Sequence, residues 1–145
     1  MMTKISEIKY YNDIKLLALM IRPYRERFGM ILAVSRGGTI VGTYLSHALD
    51  IPMGVIAAKS YEEDHSQREV QLSAIATVGE LDTSKPWLIA EDLLDTGKTI
   101  EAIKQKYSNQ QFNVAALYHK GKCPQPDFFV ERLNEWLVFP YEDFC

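Results

Sequence analysis

A chain of 145 residues, 47% of them apolar, has room for one compact domain with a real core; halved, neither part would bury enough. Its net charge of −3 supplies no global basic field for nucleic acid, so any phosphate must be held locally by a few amides and side chains.

Asn12 is the expected N-cap of a helix carrying Ile14, Leu17, Ala18 and Ile21, an i, i+3, i+4, i+7 row. Pro23 and Gly29 then end it. Residues 30–35 are an apolar run too short for a helix and typical of a strand buried on both faces. It leads into Arg36-Gly37-Gly38, and a helical pattern follows through Ile40, Val41, Tyr44, Leu45 and Leu49. A second strand is expected over 53–60, then a solvated polar loop over 61–69. Val70, Leu72, Ala74 and Ala76 alternate as in a half-exposed strand. Residues 87–90 form a third buried strand, a helix follows over 100–107, and 114–118 closes the sheet. Successive strand–loop–helix units predict an α/β fold, a largely parallel central sheet flanked by helices. In such sheets ligands gather beyond the carboxyl ends of the strands.

The two cysteines, Cys123 and Cys145, lack metal-ligand spacing and read as free thiols of a reducing compartment. Residues 1–15 show no signal-peptide apolar region, and no apolar run is long enough to span a bilayer. A cytoplasmic protein with no membrane span is expected. His47, His65 and His119 are scattered and read as surface or filler rather than as a metal site.

Residues 87–100 carry the chemistry. Two adjacent carboxylates, Glu91 and Asp92, stand where the strand should end, followed by Asp95 and then Thr96, Gly97, Lys98 and Thr99 at the start of a helix. Small and hydroxylated residues at a helix N-terminus expose amide donors to a phosphate monoester. The acid pair cannot serve that phosphate, but it can accept from a sugar diol or hold a hard cation such as Mg²⁺. Phosphate donors beside diol acceptors describe a ribose 5-phosphate site. The simpler reading is a charged corner with an N-capping Asp or Thr. A Walker A loop is excluded, because no Gly-x-x-x-x-Gly-Lys-[Ser/Thr] run occurs.

This segment resembles the phosphoribosyl pyrophosphate (PRPP) loop of the type I phosphoribosyltransferases, with Glu91-Asp92, Asp95, Thr96-Gly97 and Thr99 in register. Ala33-Val-Ser-Arg-Gly-Gly38 is similar to the pyrophosphate loop of the bacterial xanthine-guanine members, which implies a cis peptide between Ser35 and Arg36. Glycines there let the backbone approach a ligand, and Arg36 supplies a cation. Lys59-Ser60-Tyr61 to Gln67-Arg68-Glu69 is similar to the flexible hood of those enzymes. From the residues alone, a lid and a solvated hairpin are equally good accounts of it. Lys120 matches the family's base-reading lysine, and Trp136 lies in a Trp-x-x-x-Pro-aromatic tail, although a core tryptophan is a serious rival. Gly121-Lys122-Cys123 departs from the family's Pro-Ala-Gly, and Glu91 and Lys98 look more like the hypoxanthine-guanine enzymes.

The resemblance implies one phosphoribosyltransferase domain over residues 1–145, with a hood loop and a small C-terminal base-binding hood. It implies a purine salvage glycosyltransferase that moves 5-phosphoribosyl from PRPP to guanine, xanthine or hypoxanthine. Asp95 would act at the base, with Asp92 and Glu91 on the ribose diol and Asp92 on Mg²⁺. Ser35, Arg36, Gly37 and Arg68 would hold pyrophosphate, and Asp95 with Thr96, Gly97, Lys98 and Thr99 the 5-phosphate. Lys120 would read O6, Trp136 would stack on the base, and backbone from Leu137 onward would pair with its edge. Partners are then PRPP and a purine base, without nucleic acid, in a homo-oligomer (dimer or tetramer). A non-catalytic PRPP-binding regulator and an enzyme for another acceptor base are the alternatives.

Overall fold

The computed structural model describes residues 1–63 and 67–144, with residues 61–63 and 67–68 as backbone alone. The first helix, α1 (Glu7–Ile21), is capped by Ser6 and not by the expected Asn12: the Ser6 side chain accepts from Lys9 N at 3.1 Å. Its buried row is Tyr10, Ile14, Leu17, Ala18 and Ile21. Pro23 has no N–H to continue the ladder, and the chain tightens into a 3-10 turn over Arg22–Arg27.

Strand β2 (Met30–Ser35) leads into helix α2 (Gly37–Leu49), and β3 (Met53–Glu63) follows. Strand β4 (Gln67–Leu72) returns antiparallel to β3, and β5 (Trp87–Leu94) leads into helix α3 (Lys98–Lys106). Then come β6 (Phe112–His119) and β7 (Phe128–Arg132). The strands order as β4-β3-β2-β5-β6-β7, and every neighbouring pair except β3–β4 is parallel. A second small sheet pairs β1 (Met2–Lys4) in parallel with β8 (Trp136–Val138). The expected α/β architecture with a largely parallel sheet is what forms.

Side chains of the central strands alternate between two cores, one on each sheet face. Ile31, Leu88, Ala90 and Leu117 join α1 and α2 on one face. Leu32, Trp87, Ile89 and Val114 join Ile100 and Ile103 of α3 on the other. Burial on both faces explains why these strands read as unbroken apolar runs.

Several expectations need correcting. Within the polar stretch 61–69, residues 61–63 and 67–69 are strand, with Tyr61 opposite Glu69 and Glu63 opposite Gln67. An antiparallel ribbon at a sheet edge satisfies its backbone without an apolar face, so polarity was no guide. The strand expected through Ala76 stops at Leu72, leaving Ala76 as an isolated bridge to Val55. Nor does β6 close the sheet: β7, half-buried with no alternation, pairs outside it. Strands β1 and β8, three residues each, are too short to leave a periodic signal. Among the described residues no helix is long and apolar enough to cross a membrane.

Candidate active site

The carboxyl ends of β2 and β5 open into one cavity of about 870 Å³. The turn from β2 to α2 contributes Ser35, Arg36 and Gly37, β5 and the loop after it contribute Glu91, Asp92 and Asp95, and the first turn of α3 contributes Thr99. Lys120, at the end of β6, and Trp136, Leu137, Phe139 and Tyr141 of the C-terminal segment complete the wall. An adjoining pocket of about 120 Å³ is lined by Asp95, Thr96, Gly97, Lys98 and Thr99. Tertiary structure thus gathers every sequence-derived candidate except Arg68, whose side chain lies outside the described residues. The peptide between Ser35 and Arg36 is cis.

Strand β5 runs on to Leu94, so Glu91 and Asp92 are strand residues and not its terminus. Asp92 is 6% exposed and accepts a hydrogen bond from the Tyr141 hydroxyl. Burial raises its pKa, and the hydrogen bond from Tyr141 opposes that rise. Glu91 is pushed well above the carboxylate range, first by burial and then by the charge of Asp92. Two neighbouring acids in a poorly solvated wall therefore resist being charged together.

A measurable stability slope follows. Folding raises the Glu91 pKa above its ordinary 4.5, so the folded chain binds that proton more tightly than the unfolded one. From that value upward to the raised one, stability falls as pH rises. Glu91→Gln should leave Tm unchanged near pH 4.5 and raise it at pH 8, by about 2–4 °C per kcal/mol regained. A melting series across pH checks this, and equal gains at both ends would contradict it.

The loop after β5 turns on Gly97, whose φ of 79° is open to glycine and strained for other residues. Gly97 caps α3, and the Lys98 amide faces the Thr96 hydroxyl at 3.5 Å. Asp95 lies between two cations: Lys120 Nζ is 3.7 Å from Oδ2, and Lys122 Nζ is 3.7 Å from Oδ1. Lys120 is also 5.7 Å from the centroid of the Trp136 ring. Trp136 is 69% exposed, which removes the core reading and leaves an open aromatic face beside a lysine.

The two glycines after Arg36 answer to β5 as much as to any ligand. A Cβ on Gly37 would stand 2.5 Å from Asp92 Oδ2, and one on Gly38 would stand 2.2 Å from the Ala90 carbonyl oxygen. Close approach to the Asp92 side chain for Gly37 and to the Ala90 backbone for Gly38, not only to a ligand, demands them.

Sequence reasoning assigned no role to Tyr141 or Lys122. The only signal was aromatic density over 136–141 for the first and a departure from the family pattern for the second. Among the histidines, His119 is buried against Phe129 at 4.4 Å, His47 is exposed and His65 lies outside the described residues. Cys123 is a half-buried free thiol whose pKa is raised by burial and by Asp95; Cys145 lies outside the described residues.

Known proteins resemble this chain in sequence and in fold. The sequence profile of the phosphoribosyl transferase domain matches residues 9–141. The xanthine-guanine phosphoribosyltransferase of Desulfotalea psychrophila is 28% identical over 141 residues, covering 95% of this chain and 84% of that one. Its namesake from Idiomarina loihiensis is 27% identical over 119 residues, covering 81% and 73%. The crystal structure of a purine phosphoribosyltransferase from Pyrococcus horikoshii superposes with a TM-score of 0.84 at 31% identity, covering 99% of this chain and 95% of that one. A family match that runs from the first helix to the last turn, with a solved structure superposing over nearly the whole chain, means that this chain belongs to the phosphoribosyl transferase domain family.

Proposed function

We propose that this phosphoribosyltransferase serves purine salvage, moving the 5-phosphoribosyl group of PRPP onto a 6-oxopurine and releasing the nucleoside 5′-monophosphate and pyrophosphate. The observation that carries this is the single cavity joining the acids of β5, the Arg36 turn, Lys120 and the open Trp136 ring. The purine-specific names of its relatives support the choice of base.

Amides and hydroxyls of Thr96 to Thr99 hold the 5-phosphate at the N-terminus of α3. Asp92 accepts from the ribose diol, with Glu91 beside it. Arg36 and the Ser35–Gly37 backbone steady the pyrophosphate as it leaves. The base attacks the anomeric carbon with inversion through an oxocarbenium-like state. Asp95 exchanges a proton at N7, while Lys120 donates to O6 and Trp136 stacks on the ring.

Magnesium is part of the proposal. Among the described residues no three acidic, His or Cys groups converge, so a cage made wholly of protein is not on offer. The donor set suits a cation shared with substrate: Asp92 is buried, and its charge already burdens Glu91. Bound there with PRPP, Mg²⁺ would neutralise pyrophosphate and polarise its departure. Asp92 is the residue that would hold it. A homo-oligomer acting in the cytoplasm completes the reading. The exposed Ile8, Tyr11 and Leu19 of α1 support self-association, and the free thiol Cys123 supports a reducing compartment.

The test is nucleotide formation from PRPP and Mg²⁺ with guanine, hypoxanthine, xanthine, adenine and uracil offered separately. Turnover of at least one 6-oxopurine, and none of uracil, is expected. Silence on all five with PRPP still bound would favour a non-catalytic PRPP binder. In the same assay Trp136→Ala should raise the base KM by about 5- to 150-fold, the worth of one aromatic–base stack. An unchanged KM would move the base elsewhere.

A further inference from the structure

Tyr141 has no part in the reaction as assigned above, yet its hydroxyl donates to Asp92 Oδ2. That carboxylate is the one allotted to the ribose diol. A phenol O–H and a ribose O–H are donors of the same kind and seek the same lone pairs. Room around the carboxyl is short. Asp92 is buried, and Gly37 closes one side so tightly that a Cβ there would stand 2.5 Å from Oδ2 and 2.6 Å from Oδ1. Under that crowding, a ring hydroxyl and a substrate hydroxyl on the same oxygen exclude one another.

The turn that carries Tyr141 is built to hold its position. Residues Pro140–Glu142 form a 3-10 turn in which the Phe139 amide donates to Glu142 Oε1 at 3.0 Å and the Glu142 amide to the Phe139 carbonyl at 2.9 Å. The Tyr141 ring stacks on Phe139 at 5.7 Å and 9°, and Phe139 in turn packs on Tyr10 and Tyr118, each at 6.0 Å. This turn directly follows β8, which carries Trp136 and Leu137. One hydrogen bond therefore ties the strand allotted to the base to the acid allotted to ribose. Behind it lies a second phenol, Tyr10 of α1, which is 2% exposed with its hydroxyl unpartnered among the described residues. The charge of Asp92 contributes to raising the Tyr10 pKa, so this donor lies in the field of the same carboxylate.

We propose that Tyr141 is a positioning residue whose hydroxyl stands in for a ribose hydroxyl on Asp92, latching the C-terminal turn to the ribose site until PRPP displaces it. The base-binding strand is then released only after PRPP has bound, which gives the reaction an order. This inference rests on the PRPP reading of the cavity. Its energetic consequence is that PRPP must replace an existing hydrogen bond to a charged acceptor, which weakens its binding.

The decisive comparison is calorimetric titration of PRPP with Mg²⁺, without base, into the parent protein and Tyr141→Phe. The variant is expected to bind PRPP about tenfold more tightly, the worth of one hydrogen bond to a charged group. Its base KM at saturating PRPP should be unchanged, and the gain should vanish in an Asp92→Asn background. Unchanged or weaker PRPP binding overturns the latch. A parallel rise in both constants does so too, since it would make Tyr141 a mere prop of the turn. Amide exchange on the parent protein needs no variant. PRPP alone should quicken exchange at Glu142 and Asp143, whose amides close the turn, and slowed or unaltered exchange refutes the proposal. If the parent takes up no PRPP, the functional reading falls as well; parent binding with no gain in the variant sinks the latch alone.

Discussion

Asp95→Asn is expected to lower kcat by about 10²–10⁴-fold, the usual contribution of a positioned acid–base group, with a much smaller change in PRPP affinity. The amide keeps the size of the side chain and can still meet a donor, so the loop over Thr96 to Thr99 has no cause to move. What it loses is the charge that Lys120 and Lys122 flank at 3.7 Å each, and with it the capacity to take up a proton. Single-turnover rates alongside PRPP titration separate the two quantities. Equal losses in rate and affinity would mean that Asp95 holds the sugar phosphate and does not work on the base.

Gly38→Ala should produce the largest structural effect. Its Cβ would stand 2.2 Å from the Ala90 carbonyl oxygen, and Ala90 belongs to β5, which is paired on both sides by β2 and β6. Neither the carbonyl nor its strand can yield cheaply, so α2 must lift from the sheet. Overpacking of this kind costs about 1–3 kcal/mol, which corresponds to a Tm loss of roughly 2–12 °C for a domain of this size. Because Arg36 and Gly37 stand at the lifted end, PRPP-dependent turnover should fall by about 10²-fold even where the variant remains folded. Thermal melting and turnover at a temperature below both transitions check the two parts. An unaltered Tm would mean that α2 is not seated on β5 as described.

The parts of the site legible beforehand share a property: each is contiguous. The strand–turn–helix of residues 87–100 supplies acids, amides and hydroxyls from one stretch of chain, so its chemistry survives as spacing. The same holds for Ala33 to Gly38, where strand, cation and glycines follow one another. Where elements were misjudged, local patterning was the wrong guide. Residues 61–63 of β3 and 67–69 of β4 are polar because an edge ribbon needs no apolar face there, and Ser6 rather than Asn12 is the cap because it stands one turn ahead of Tyr10, the first residue of the buried row, whereas Asn12 lies inside that row.

Amino-acid order by itself thus determined the α/β class, the strands buried on both faces, the turn into α3 and the identity of the acids, all consequences of short-range periodicity and backbone geometry. Tertiary structure alone decided what those groups face. Tyr141 meets Asp92 across 49 positions of chain, Lys120 and Lys122 close on Asp95, and Trp136 remains open where a core position was a serious rival. Those outcomes depend on which strands pair and how far β5 extends. They are set by the balance of burial and hydrogen bonding over the whole sheet, which no local window contains.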